Sequence, residues 1–174
     1  MEEASLIRSI AQGDREAFER LYFAYQRRLF GYLFRTLGET GAAEELVNDV
    51  MFEVWKSAGR YRGESKPSTW ILGIAHHRML NHLRRQRPAP ADTAELQHKA
   101  DPGEQPEQAA LRHQEEDFVH RALDRLPPPH REVVELTFYQ GCSYEEIAAI
   151  AGCPVNTVKT RMFHAKKKLR EILI

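Results

Sequence analysis

Two cysteines, Cys142 and Cys153, are all that the 174 residues contain, too few for a fold built on disulfides. They lack a C-x-x-C pattern or spaced histidines nearby, so they read as small buried or half-buried thiols in a reducing compartment rather than as zinc ligands. No apolar run approaches the ~20 residues needed to cross a bilayer, and the first residues carry no basic-then-apolar leader; the expectation is a cytoplasmic protein. Alternating apolar and polar residues are missing, as is any internal repeat, which argues against strands and for an all-α chain. There is also no charge of one sign to advertise nucleic acid: 25 basic residues balance 25 acidic ones. The charge is instead segregated, with basic runs at Arg78 to Arg87 and Lys159 to Arg170 and a mostly acidic run from Asp92 to Asp117, so partners are read from local patches. Pro88, Pro90, Pro102 and Pro106 mark 88–108 as a flexible acidic linker between two small helical domains, 1–87 and 109–174.

The clearest pattern lies between Ser143 and Leu173. Ser143 and Glu146 have the S-x-x-E spacing of a capping box, in which hydroxyl and carboxylate each satisfy the other residue's backbone N–H; the cap contributes about 1 kcal/mol. Gly152 can take the left-handed conformation that ends a helix, and Pro154 has its φ preset for the first position of the next. Val155, Val158, Met162, Ala165, Leu169 and Ile172 then follow at spacings of 3, 4, 3, 4 and 3, one apolar stripe along a helix. Asn156, Thr157, Lys159, Thr160, Arg161, His164, Lys166 and Lys167 face away from it. A short helix, a glycine turn and a second helix with a basic outer face make a helix-turn-helix, whose second helix fits the major groove, early positions reaching bases and later lysines reaching phosphates. A helical hairpin alone is common surface packing. The cap, the turn, Asn156-Thr157-Val158-Lys159 and the basic exit together point to DNA.

From the start of the chain, Asp14 is a plausible cap for a long helix with Phe18, Leu21, Tyr22, Tyr25, Leu29 and Leu33 on one stripe. After a break at 37–41, Leu46, Val47, Val50, Met51 and Val54 face inward on a second helix, while Glu45, Asp49, Phe52 and Glu53 lie elsewhere. With Trp55, Phe52 makes this outer side aromatic. Aromatic anchors among carboxylates suit a protein partner, and a Trp55 that caps the core fits the periodicity equally well. Residues 60–67 read as a loop, and Ser68 or Thr69 as the cap of a helix from Trp70 to about Gln86. Its apolar stripe is Leu72, Ala75, Met79 and Leu83; its outer face carries His77, Arg78, Asn81, Arg84 and Arg85, with His76 beside them. Beyond the linker, Leu111, Phe118, Ala122 and Leu126 continue a helical stripe that Pro127-Pro128-Pro129 stops, and Val133, Val134, Leu136 and Phe138 belong to a further helix. His113, Asp117 and His120 fall at i, i+4 and i+7, a spacing that helices produce by coincidence; no metal site is expected.

The segments Asn48-Asp49-Val50-Met51-Phe52-Glu53-Val54-Trp55, Tyr61-Arg62-Gly63, Thr69-Trp70-Ile71-Leu72-Gly73-Ile74-Ala75 and Asn81-His82-Leu83-Arg84-Arg85 resemble region two of the bacterial sigma-70 family. Leu126-Pro127, Arg131-Glu132-Val133, Gly141 to Ala148 and Asn156 to Arg161 resemble its region four. With no region one or three, the chain is similar to the compact extracytoplasmic-function (ECF) group of alternative sigma factors.

The resemblance implies a protein with no catalysis, cofactor or small-molecule substrate, which binds core RNA polymerase and directs promoter recognition and transcription initiation. It implies that Glu45, Asp49, Phe52, Glu53 and Trp55 meet the clamp coiled coil of the largest polymerase subunit, and that region four meets the flap. Arg62, Lys66, Ser68, His77, Arg78, Asn81, Arg84 and Arg85 would recognise and open the start-proximal promoter element, with Asn81 offering both a donor and an acceptor to an unstacked base. The outer residues of the last helix would read the distal element. An anti-sigma factor is a further implied partner, which would hold the chain at the membrane if itself anchored there; active protein would lie on the nucleoid. If the two elements lie about two turns apart, ~70 Å separates them, and the 21 residues from Pro88 to Gln108 reach at most ~70 Å. The chain departs from common family residues at Gly73, His76-His77, Asn156 and Phe163 to Lys166, positions that bear on promoter sequence and phosphate grip. Histidines on this helix are expected as neutral donors facing DNA. The alternative is a stand-alone helix-turn-helix regulator with an N-terminal sensing or dimerisation domain, which would bind paired operator half-sites unaided.

Overall fold

Asp14 starts the longest helix: its side chain accepts from the Ala17 N–H at 3.1 Å, and Gly38, at φ 78°, ends the helix. A computed structural model describes residues 2–86 and 106–174, and those residues contain helices and no strand. In order they are α1 (Glu2–Ala11), α2 (Arg15–Leu37), α3 (Thr40–Ser57), a short 3-10 turn (Ala58–Arg60), α4 (Pro67–Arg85), α5 (Pro106–Asp124), α6 (Pro128–Val134), a π-helical turn (Glu135–Tyr139), α7 (Tyr144–Ala151) and α8 (Val155–Leu173). Helix α1 has no counterpart in the sequence reading, although Leu6, Ile7 and Ile10 carry its inner face and Glu2 and Glu3 its first turn. Helix α4 starts earlier than expected. Pro67 occupies its first turn and Lys66 is the cap residue, without a side-chain bond, so neither Ser68 nor Thr69 caps it. Proline suits that place because its missing N–H would have no partner there.

Helices α1 to α4 bury Leu21, Leu29, Leu33, Val50, Val54, Ile71 and Leu72 among one another. In the second half, Pro128 and Pro129 open α6 directly after α5 ends, so the proline triplet both stops one helix and starts the next. The linker reading of 88–108 lies outside the described residues up to 105; its last three residues, from Pro106, belong to α5. The side chains of Leu111 and His113 also lie outside them. Phe118 and Phe138 depart from the expected apolar stripes, being 50% and 66% exposed, while Leu123 and Leu136 are buried. At Phe138 the cause is the π-helical turn, which adds a residue to the turn and so rotates the positions after it.

The two halves pack together. Helix α4 lies along α7, and α2 lies against α6 and the π-helical turn. Arg28, Tyr32 and Arg35, spaced 4 and 3 along α2, form the stripe that faces the second half. The Tyr32 hydroxyl donates to Glu132 Oε1, and His76 Nδ1 of α4 meets the same oxygen, each at 2.5 Å. Arg35 holds both carboxylate oxygens of Glu135 at 2.6 and 2.8 Å and lies over the Tyr139 ring. Arg28 donates to the side chain and backbone carbonyls of Gln140, whose amide donates to Glu135. Glu132 and Glu135 are 4% and 1% exposed, and such carboxylates are tolerated inside a protein only with partners of this kind.

Candidate nucleic-acid and polymerase interfaces

The capping box is formed in full. Glu146 N–H donates to Ser143 Oγ at 3.1 Å and Ser143 N–H to Glu146 Oε2 at 2.8 Å. Gly152 ends α7 at φ 64°, and Pro154 occupies the cap position before α8 rather than its first helical one. Val158, Met162 and Ala165 of α8 are buried, which turns Asn156, Lys159, Thr160, His164, Lys166 and Lys167 to solvent. Thr157 and Arg161 are half-buried at the edge of that face, and Arg161 reaches Cys153 Sγ at 3.9 Å. Thr160 donates its hydroxyl to the Asn156 carbonyl, leaving its methyl group for an outside partner. At the side of α8 the His164 ring stacks on His130, with centroids 5.8 Å apart, and burial, then His164 and Arg161, push the His130 imidazole below its ordinary range. Burial also raises the Cys142 thiol, which fits the reading of a packed cysteine and not a reactive one.

On α4, His77, Asn81, Arg84 and Arg85 are exposed together, as expected. His76 is not beside them. It is buried against Glu132, which corrects the expectation that it faces DNA: one residue along the helix turns the side chain by about 100°, here to the inner side. Arg78 is half-buried and donates to Glu53 at 2.6 Å. Lys66 is ion-paired with Glu146 of α7 at 2.6 Å, and Ser68 is half-buried in the first turn of α4. Lys66, then the Ser143 backbone, hold the Glu146 carboxyl below the usual carboxylate range. In the preceding loop Arg62 is exposed, while Tyr61 donates to the Ser65 carbonyl at 2.6 Å and packs its ring 5.1 Å from Trp70.

Helix α3 presents Glu45, Asp49 and Phe52 to solvent, Phe52 at 59%. Glu53 pairs with Lys56 and Arg78, and Lys56, then Arg78, lower its carboxyl. Trp55 meets Phe18 edge-on at 5.3 Å and is partly buried against the core, as the core-capping alternative expects. Beside this face a cleft of about 450 Å³ is lined by Tyr22, Gln26, Arg27, Phe30, Glu44, Val47 and Asn48. Phe23 stands exposed next to Tyr22. These α2 residues were missed from the sequence, although Phe23 falls off the α2 apolar stripe and is the signal that could have found them. Among the described residues no group of three or more His, Cys, Asp or Glu side chains could hold a metal ion, and no helix is long and apolar enough to cross a membrane.

The Sigma-70 region 2 family model matches residues 21–89 and the Sigma-70, region 4 model residues 119–169. The chain is 31% identical to the RNA polymerase sigma-H factor of Pseudomonas aeruginosa, over 99% of this chain and 94% of that protein. It is 30% identical to the ECF RNA polymerase sigma-E factor of Escherichia coli, over 94% and 90%. Among solved structures it is similar in fold to CnrH in complex with the cytosolic domain of CnrY (TM-score 0.74, 24% identity, 99% of this chain and 97% of that one). It is also similar in fold to the sigma factor RpoE of Bartonella quintana in complex with the anti-sigma factor NepR (TM-score 0.71, 24% identity, 90% and 96%). With both family regions matched and relatives aligned along nearly their whole length, the chain belongs to the sigma-70 family, as an alternative sigma factor of the ECF type.

Proposed function

We propose that residues 1–87 bind core RNA polymerase and open the start-proximal promoter element, while residues 109–174 read the distal element as duplex. The observation that carries this division is the presence of two separate solvent-facing basic helix faces, on α4 and on α8, each held by its own buried stripe. On α8, Asn156, Thr157 and Thr160 would face bases, and Lys159, Arg161, His164, Lys166 and Lys167 mainly phosphates. On the first half, Arg62, Lys66, Ser68, His77, Arg78, Asn81, Arg84 and Arg85 serve the melted element, and Glu45, Asp49, Phe52, Glu53 and Trp55 the polymerase. The protein does this without a chemical step of its own, in the cytoplasm, with an anti-sigma factor as a further partner; the two structural relatives were solved with partner proteins bound.

The test is transcription from a promoter library by purified protein and core polymerase. Start-site choice that depends on both supports the proposal; tight operator binding by the chain alone, with no effect on polymerase, favours the stand-alone regulator. Asn81→Ala should lower open-complex formation roughly 5- to 150-fold, from about 1 to 3 kcal/mol of lost hydrogen bonding, and leave polymerase affinity unchanged. Equal loss of both would make Asn81 structural. Lys159→Ala should reduce the slope of log affinity for distal duplex against log salt by about 0.9 if it holds one phosphate. An unchanged slope removes it from the backbone contacts.

A further inference from the structure

His130 and His164 line a cleft of about 330 Å³ between the α5–α6 corner and α8. His130 is half-buried in the first turn of α6, and His164 is exposed at the edge of the outer face of α8. Their rings lie face to face, with centroids 5.8 Å apart and planes 16° from parallel, and the Phe163 ring stands 5.5 Å from His164 at 75°. A ring stacked in this way keeps its plane, and the nitrogens of an imidazole lie in that plane. The charged groups around the pair are Arg125 just past the end of α5, and Arg161, Lys167, Lys168 and Glu171 on α8. Glu171 is within 3.8 Å of Lys168, so four cations face the pair against one carboxylate that already has a partner. In such surroundings two adjacent imidazoles do not both take a proton without cost. Burial first, then His164 and Arg161, hold His130 below the ordinary histidine range. His130 is therefore the member that stays neutral, and a neutral ring offers a π face on which a cation can rest.

We propose that His130 is a positioning residue for DNA binding: its stacked ring fixes the plane of His164, which then holds a backbone phosphate of the distal element as the one protonated imidazole of the pair. The inference rests on the proposed reading of distal duplex by α8. The stack removes rotamer freedom that a lone histidine on an exposed helix face would lose only on binding. It also supports the charge that the phosphate draws onto the pair, because a nearby anion favours the protonated form. Binding therefore takes up a proton, which sets the sign of the pH dependence. Below the histidine range the pair already carries its proton and the contact is complete; above that range the proton is lost and the contact fades. Lysine ammonium groups titrate well above that range, so the rest of the α8 grip persists and this contact alone is conditional.

The test uses the full-length protein with core polymerase on a promoter duplex, with wild type and variants compared at each pH so that the titration of polymerase cancels. His130→Ala should weaken binding about 2- to 12-fold at about pH 5.5, where the stack carries its charge, and little at about pH 8. His130→Phe, which restores a neutral ring, should recover most of the loss. His164→Arg carries a charge that does not depend on pH. Relative to it, the slope of log affinity against log salt for wild type should steepen by about 0.9 between about pH 8 and about pH 5.5, the gain of one phosphate contact. In the free chain, His164→Gln should raise the pH at which the His130 ring titrates by proton NMR, because a group that holds it down is gone. Circular dichroism confirms that each variant is folded. A His130→Ala loss that is equal at both pH values makes the residue merely structural and overturns the proposal, as does an unshifted His130 titration in His164→Gln. If no α8 substitution alters binding at any pH, the reading of distal duplex by α8 fails and takes this inference with it; the NMR result, which needs neither DNA nor polymerase, tells the two failures apart.

Discussion

Replacing Arg131 with alanine should lower the stability of the whole chain by about 2 to 4 kcal/mol, more than a surface arginine is worth. The reason is the number of backbone carbonyls that one guanidinium serves. Arg131 donates to Leu123, Asp124 and Leu126 at the end of α5, between 3.0 and 3.2 Å, and to Thr36 at the end of α2. Helix ends leave carbonyls that need partners, and here the planar fork of one side chain supplies them for two helices at once. Thermal unfolding followed by circular dichroism should show a midpoint roughly 5 to 15 °C lower. Arg131→Lys should recover little, because a single ammonium cannot match the fork's geometry. A change below about 0.5 kcal/mol would mean that water takes over these carbonyls without cost.

Ile147→Ala should have a comparable effect on stability, about 2 to 5 kcal/mol, and a larger one on DNA reading. Ile147 is fully buried in α7, a helix packed on one side against α8 and on another against α4. Truncation leaves a cavity at that junction, and the cost grows with the volume that the surroundings fail to fill. The outer face of α8, proposed above to read bases, is aimed by the packing of α8 on α7, so relaxation into the cavity changes the aim. Affinity for the distal duplex should drop under conditions where circular dichroism shows the variant still folded. Ala149, exposed on the same helix, supplies the control: Ala149→Ser should change neither reading. Normal DNA affinity in folded Ile147→Ala would mean that α8 is oriented by contacts other than α7.

Legible in the sequence were the features that neighbouring residues determine between themselves. The Asp14 and Ser143 caps, the glycine ends at 38 and 152, and the α8 stripe all depend on partners within a turn or two, and the structure has each of them. The outward positions of His77, Asn81, Arg84 and Arg85 follow from the same periodicity. The joint between the halves could not be read this way, because Tyr32 and Glu132 are 100 positions apart and periodicity carries no information about which stripe meets which. His76 shows the difference: the helical period of Leu72, Ala75 and Met79 turns it inward, and only the presence of Glu132 explains how a histidine is accommodated there. Phe138 was misplaced for a local reason, a π-helical turn that no residue type announces. The α2 side of the cleft between α2 and α3 went unseen because Tyr22 was assigned wholly to the core, whereas its hydroxyl donates to Asn48 across the cleft.

The interlocking of α2 with α6 constrains how such a chain can be recombined with its relatives. A hybrid that joins this second half to another factor's first half would place Glu132 and Glu135 opposite side chains not matched to them. Unless the donor supplied equivalents of Tyr32, His76 and Arg35, the graft would have to bury two carboxylates without partners, and its halves would drift apart to hydrate them. Exchange of promoter preference between factors of this type is therefore better attempted by transplanting the outer face of α8 alone than by swapping whole halves.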